Sequence, residues 1–368
     1  NNTRININIP LTKNELPQHG TGATVGSAVG AGTGMALNLL VPGLGTVAAP
    51  ALGILGSKVG EMFDDQGPSQ EELQRQQETA DRIKYGPKQE NPYVDAFWKW
   101  WPEMRKTLNI MRVTGGEPTL HKSTWTLLDK IDEDPMPWLE LNINSNLGTK
   151  NVLIDRLANK VRKLQDEGKI KTFKLFTSMD TWGPRAEYIR TGLDLDVWEE
   201  NFHTYVTKSK SPITFMITFN IFSVTSFKGL LEKFLEWRKQ YGWDENRKQH
   251  IIRFDTPYLR DPIQYDMNIL PKEQFMPYMY ESLKFMEDNL DDDRPDAFTT
   301  IEYEKFKRVV DYMAETVYSE EKLIEGRRDF YNWFNELDDR RETDMLSVYP
   351  EMMDFYRLCQ EVNLTNPL

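Results

Sequence analysis

Asn109-Ile110-Met111-Arg112-Val113-Thr114-Gly115-Gly116-Glu117-Pro118 decides the fold class of this chain. An apolar, β-branched run ends abruptly in two glycines, an acid and a proline, which is how a strand closes into a turn. The same change from apolar run to polar tip recurs along the chain. Further strand-like runs are Leu139–Asn144, Thr172–Ser178, Ile213–Phe219 and Ile251–Asp255. Between them lie amphipathic stretches at Ser123–Ile131, Val152–Glu167, Leu195–Thr207 and Phe227–Tyr241, with apolar positions recurring at three and four. Strand alternating with helix predicts an α/β protein with a parallel sheet, open or curved into a barrel.

In such folds ligands bind beyond the carboxyl ends of the strands. Every one of the five runs ends in polar or glycine residues: Thr114-Gly115-Gly116-Glu117, Asn144-Ser145-Asn146, Ser178-Met179-Asp180, Thr218-Phe219-Asn220, and Asp255 with Tyr258 and Arg260 beyond it. Caps and turns use the same residue types. Five such ends in succession point instead to a binding face. Gly115 and Gly116 let a backbone approach a ligand, and Glu117 offers a carboxylate to an amine or hydroxyl. Asn144, Ser145 and Asn146 supply donors and acceptors suited to a ribose or an adenine edge. Arg190 suits a ligand carboxylate.

Arg112-Val113-Thr114-Gly115-Gly116-Glu117-Pro118, Asn144-Ser145-Asn146-Leu147-Gly148, Ser178-Met179-Asp180-Thr181-Trp182-Gly183 and Ala186-Glu187-Tyr188-Ile189-Arg190 together resemble the signature blocks of radical S-adenosylmethionine (radical SAM) proteins. The likeness is to twitch-type members of phages and uncultured bacteria, in which a block like Asn91–Trp101 also precedes the Gly-Gly-Glu-Pro strand, and it covers about residues 88 to 290. It implies a partial parallel (βα) barrel holding S-adenosylmethionine against a [4Fe-4S] cluster. The methionyl amine would then meet Gly115, Gly116 and Glu117. Asn144, Ser145, Asn146, Ser178, Asp180 and Arg190 would be the counterparts of the ribose and carboxylate contacts.

The family's CxxxCxxC motif is absent, because Cys359 is the chain's one cysteine. Three thiolates are needed to hold such a cluster, so the resemblance implies a cluster-deficient or truncated member. Three explanations stay open: a degenerate relative that keeps the fold, a half-enzyme completed by another subunit, or a joined sequence whose first 66 to 80 residues do not belong to the barrel. The change of composition favours the third, although Thr3–Ile9 alternates and could be a strand. A single cysteine excludes an intrachain disulfide, and His19, His121, His203 and His250 form no ligand pair with a neighbour.

Residues 1 to 66 differ from the rest. From Leu16 to Ser57 there is no Asp, Glu, Lys or Arg, and Gly22, Gly26, Gly30 and Gly34 recur at every fourth position. That spacing predicts a glycine-zipper-like helical hairpin with closely approaching backbones. It makes residues 20 to 60 a candidate membrane or homo-oligomer contact. A non-enzymatic protein acting through this zipper, with the barrel as scaffold, is the alternative function. Residues 67–94 read as a polar helix and linker, 95–290 as the barrel, and 291–368 as a helical extension.

With 57 acidic against 45 basic residues the formal charge is −12, which argues against nucleic-acid binding. The chain shows no basic run leading into an apolar stretch at its start, giving an expected cytoplasmic location, membrane-associated if the zipper inserts. Asp291-Asp292-Asp293 reads as a solvated turn, and Cys359 as a buried thiol on a helix. The aromatic group Phe97-Trp98-Lys99-Trp100-Trp101 reads as the core-facing end of an element capping the barrel.

Overall fold

Residues alternating between buried and half-exposed along Leu108–Thr114 and Met136–Asn144 form the two strands around which the first part of the protein is built. The computed structural model describes residues 3–8, 92–244 and 249–366. It divides into two units, Asn1–Ser145 with Lys163–Phe173, and Asn146–Arg162 with Lys174–Leu368. Both carry parallel strands with helices between, which is the α/β class expected.

In the first unit the strands are β1 (Thr3–Asn8), β2 (Leu108–Thr114) and β3 (Met136–Asn144). β2 pairs parallel to both of the others, with Asn8 opposite Thr114 on one side and Val113 opposite Ile143 on the other. Thr3–Asn8, whose alternation marked it as a possible strand, is thus one of the strands of this parallel sheet. The zipper and most of the polar segment lie outside the described residues, but α1 (Pro92–Met104) begins within the stretch read as linker. Pro92 opens the helix, a position where its missing N–H costs nothing.

The aromatic group falls on α1, where Phe97, Trp98 and Trp101 touch one another at centroid distances of 4.9 to 5.9 Å. Trp101 is buried as expected, whereas Trp100 is 57% exposed. Helix α2 (Lys122–Glu133) places Leu127, Leu128 and Ile131 in the core. That three-four spacing is the reason this stretch is helical rather than extended.

The second unit carries β4 (Ile170–Ser178), which enters it at Lys174, β5 (Ile213–Met216) and β8 (Ile252–Asp255), with β5 pairing parallel to both neighbours. A short antiparallel hairpin, β6 (Trp243–Asp244) and β7 (Gln249–His250), precedes β8 and carries no hydrophobic run that would betray it. Helices α3 (Asn151–Asp166), α4 (Pro184–Ile189), α5 (Leu195–Ser209) and α6 (Ser223–Tyr241) are followed by α7 (Lys272–Asp288), α8 (Thr300–Glu315), α9 (Glu320–Arg341), α10 (Met345–Val348) and α11 (Met353–Thr365). Trp198 and Phe202 of α5 meet Phe215 of β5 and Trp237 of α6 in one aromatic core. Gly326 of α9 lies so close to Ile269 that a Cβ there would come within 2.6 Å of its methyl, so only glycine fits. Cys359 is buried on α11, and burial pushes its thiol well above the usual range. Asp292 accepts hydrogen bonds from the N–H and hydroxyl of Thr300 at the start of α8, making the acidic turn a structural one.

His250 is buried against Trp243, ring edge to ring face at 4.8 Å. Burial first, then the Arg238 guanidinium, depresses its imidazole to about 4, with Glu302 opposing and Arg253 adding to the shift. A neutral folded histidine and an unfolded one titrating near 6.5 mean that the folded state loses stability as pH falls from about 6.5 towards 4. The expected loss reaches about 3 kcal/mol at the lower limit. Urea denaturation across that window is expected to flatten in His250→Phe, and an unchanged slope would dismiss His250 as the titrating group.

Candidate functional site

The carboxyl end of β2 is an exposed glycine turn backed by a buried acid. Gly115 and Gly116 have φ of 100° and 53°, the left-handed region that residues with a Cβ enter at a cost. Glu117 follows in extended conformation and caps the short 3-10 turn Pro118–Leu120. Its Oε1 accepts from the Thr119 N–H at 3.2 Å and from the Thr119 hydroxyl at 2.8 Å. Its Oε2 accepts from the Ser145 hydroxyl at 3.0 Å, which ties the end of β2 to the end of β3. Glu117 is only 5% exposed. Beside it, Arg112 donates from Nε to Asn144 Oδ1 at 2.9 Å, and burial lowers the affinity of that guanidinium for its proton.

Of the residues named from the sequence, this unit therefore gathers Gly115, Gly116, Glu117, Asn144 and Ser145. Thr119 and Arg112, which orient Glu117 and Asn144, had no role in that reading. Thr119 sits two residues beyond the acid in a turn-capping position, a spacing that could have signalled it.

The remaining named residues belong to the second unit. Asn146 is exposed and its Oδ1 accepts from the Gly148 N–H at 3.0 Å, a local turn. Leu147 adopts φ 56°, held by buried Asn201, which donates to the Leu147 and Thr149 carbonyls at 2.7 Å each. Asn201 on α5 was not singled out, because nothing in a helical pattern marks one asparagine as a loop clamp. Ser178 is half-buried at the last position of β4.

Asp180 and Arg190 come together, buried, with Nη2 to Oδ2 at 2.8 Å. The distance is that of an ion pair, but the angle is not that of a hydrogen bond, and Arg190 Nε has no hydrogen-bond partner either. Asp180 Oδ1 accepts from the Thr218 N–H at 2.9 Å, joining the loop after β5. Burial raises the Asp180 carboxyl and lowers the Arg190 guanidinium, with each partner opposing the shift of the other. The guanidinium read as a ligand contact is thus paired with a carboxylate of the chain itself.

No protein-family model, curated protein or solved structure matches this chain. Its chemistry has to be argued from its own residues.

A [4Fe-4S] cluster of the family type does not fit them. It takes three thiolates, and the chain has one cysteine, buried on α11 with its thiol held protonated by burial. Among the described residues no group of three or more His, Cys, Asp or Glu could hold a metal ion, and no helix is long and apolar enough to cross a membrane. The glycine turn is a different matter. A bare backbone beside a carboxylate fixed by Thr119 and Ser145 fits an ammonium-bearing ligand, since the acid's geometry is set before the ligand arrives.

Proposed function

We propose that this chain is a radical-SAM-like protein, built on a partial parallel barrel, that binds S-adenosylmethionine or a related adenosyl ligand at the carboxyl ends of its strands. It does not carry out radical cleavage with ligands of its own. The observation that carries the reading is the turn at Gly115-Gly116, with both residues at positive φ, leading into a buried Glu117 whose oxygens are oriented by Thr119 and Ser145. The ammonium of the amino-acid moiety lies against the turn carbonyls and the Glu117 carboxylate. Asn144, held by Arg112, faces the ribose side. The reading rests on the first unit alone, and the parallel strand pairing within each unit supports the partial-barrel architecture.

Calorimetric titration with S-adenosylmethionine tests it. Wild-type protein is expected to bind saturably. Glu117→Gln is expected to bind about 10- to 100-fold more weakly, the range for a hydrogen bond to a charged group. Gly116→Val is expected to bind more weakly too, because a β-branched residue resists φ near 53°. Thermal melts of each variant separate lost binding from lost folding. No heat from the wild type, or one dissociation constant shared by all three folded proteins, would discard the site.

A further inference from the structure

Beyond β8 the chain builds a second cluster, which the adenosyl reading does not use. Tyr258 continues the strand pairing: it bridges in parallel to Phe219, whose N–H donates to the Pro257 carbonyl at 2.7 Å and whose carbonyl accepts from Leu259 at 2.9 Å. Two residues on, exposed Arg260 folds back. Its guanidinium lies 5.1 Å from the Tyr258 ring centre and 4.8 Å from that of Tyr312 on α8, two rings stacked at 4.4 Å. Nη2 of Arg260 donates to the Tyr258 hydroxyl at 2.7 Å. An exposed arginine side chain ordinarily holds about 2 kcal/mol of rotamer freedom, and here two rings and a hydrogen bond have already removed much of it.

The acid of the cluster is fully used. Buried Asp266 accepts from Asn268 through both its backbone N–H and its side-chain amide at 2.9 Å, from the Tyr312 hydroxyl at 2.9 Å, and from the Tyr318 hydroxyl. Four donors fill the acceptor sites of a carboxylate. Two other exposed arginines of this acidic chain lie against carboxylates, Arg340 against Glu336 and Arg294 against Asp296. Arg260 has no carboxylate at ion-pair distance among the described residues. Because the Tyr258 hydroxyl accepts from Arg260, its own proton is left to donate, and it has no acceptor among the described residues. A guanidinium edge and a phenol O–H, side by side and already ordered, form a two-donor clamp.

We infer that Tyr258 and Arg260 form an oxyanion-binding site that takes the phosphate or carboxylate group of a ligand, with the Tyr312 stack bracing it from behind. The site stands whether or not the chain binds an adenosyl ligand.

Arginine side-chain NMR on the full chain tests it, with the Arg260 Nε–H signal assigned through Arg260→Lys. Inorganic phosphate and acetate are titrated separately at low ionic strength, without S-adenosylmethionine. Either anion is expected to shift the Arg260 signal saturably, at a concentration at least tenfold lower than it shifts Arg357, an exposed arginine outside the cluster. The stronger of the two identifies the group. Tyr258→Phe keeps the ring stack but removes the hydroxyl, and is expected to raise the half-saturation point about threefold to tenfold. Arg260 and Arg357 saturating alike with both anions, or Tyr258→Phe matching the wild type, would overturn the site.

Discussion

Arg238→Met is expected to cost about 4 kcal/mol or more of folding stability, a large share of the roughly 5–15 kcal/mol that holds a domain together. Arg238 has a fully buried side chain, yet almost every donor is used. Nε and Nη2 donate to the Ile252 carbonyl at 3.1 and 3.0 Å, Nη1 donates to the Ala297 carbonyl at 2.6 Å, and Nη2 donates to Glu302 Oε1 at 2.6 Å. Glu302 in turn closes the capping box of α8 with Thr299. One side chain thereby joins α6, β8 and the start of α8. Methionine fills the space but leaves a buried carboxylate without its counter-charge and two buried carbonyls without this donor, and orphaned groups carry the full penalty of desolvation. Arg238→Lys is not expected to rescue, because a point charge on a flexible stem cannot reach three partners in a fixed fork. The measurement is the urea midpoint and slope of each variant. A loss below about 1 kcal/mol in Arg238→Met would mean that water replaces these bonds and that the network is not as dry as its geometry.

The strands around this network were legible because each had to alternate or run apolar in order to be buried, and the helices because their apolar residues recur at three and four. Arg238 was not. In the stretch Phe227–Tyr241 it stands four residues after Phe234 and seven after Leu231, on the apolar face, but a charged side chain reads as solvated there, since it enters a core only where other elements bring partners to it, here from residues 14 to 64 positions away. His250 and the β6–β7 hairpin escaped for the same reason, being defined by a cross-strand contact with Trp243 rather than by a periodic run. The glycine turn at the end of β2 could be read directly, because two successive residues at positive φ favour glycine and glycine is visible in a sequence. What the sequence could not supply was the partner of each polar residue. Glu117 has Thr119 and Ser145, and Arg190 has Asp180, and both pairings depend on the path of the chain.

The second large effect lies in that last pair. Arg190→Met alone is expected to destabilise the protein by about 3 kcal/mol or more, because it strands the buried Asp180 charge. Asp180→Asn alone is expected to cost a similar amount by stranding Arg190, although the Thr218 N–H keeps its acceptor. The double variant is expected to recover at least about 2 kcal/mol of either loss. This sets the pair apart from Arg238 and Glu302, where removing both charges still leaves the Ile252 and Ala297 carbonyls without donors. The physical difference is satisfaction: the Arg238 fork is nearly saturated, whereas Arg190 meets Asp180 at a poor angle and leaves Nε unbonded. Chemical denaturation of the four proteins in a double-mutant cycle measures the coupling, and single losses under 1 kcal/mol or a strictly additive double variant would refute the pairing. If the double variant is as stable as the wild type, folding does not require the pair, and the two charges offset only each other's burial.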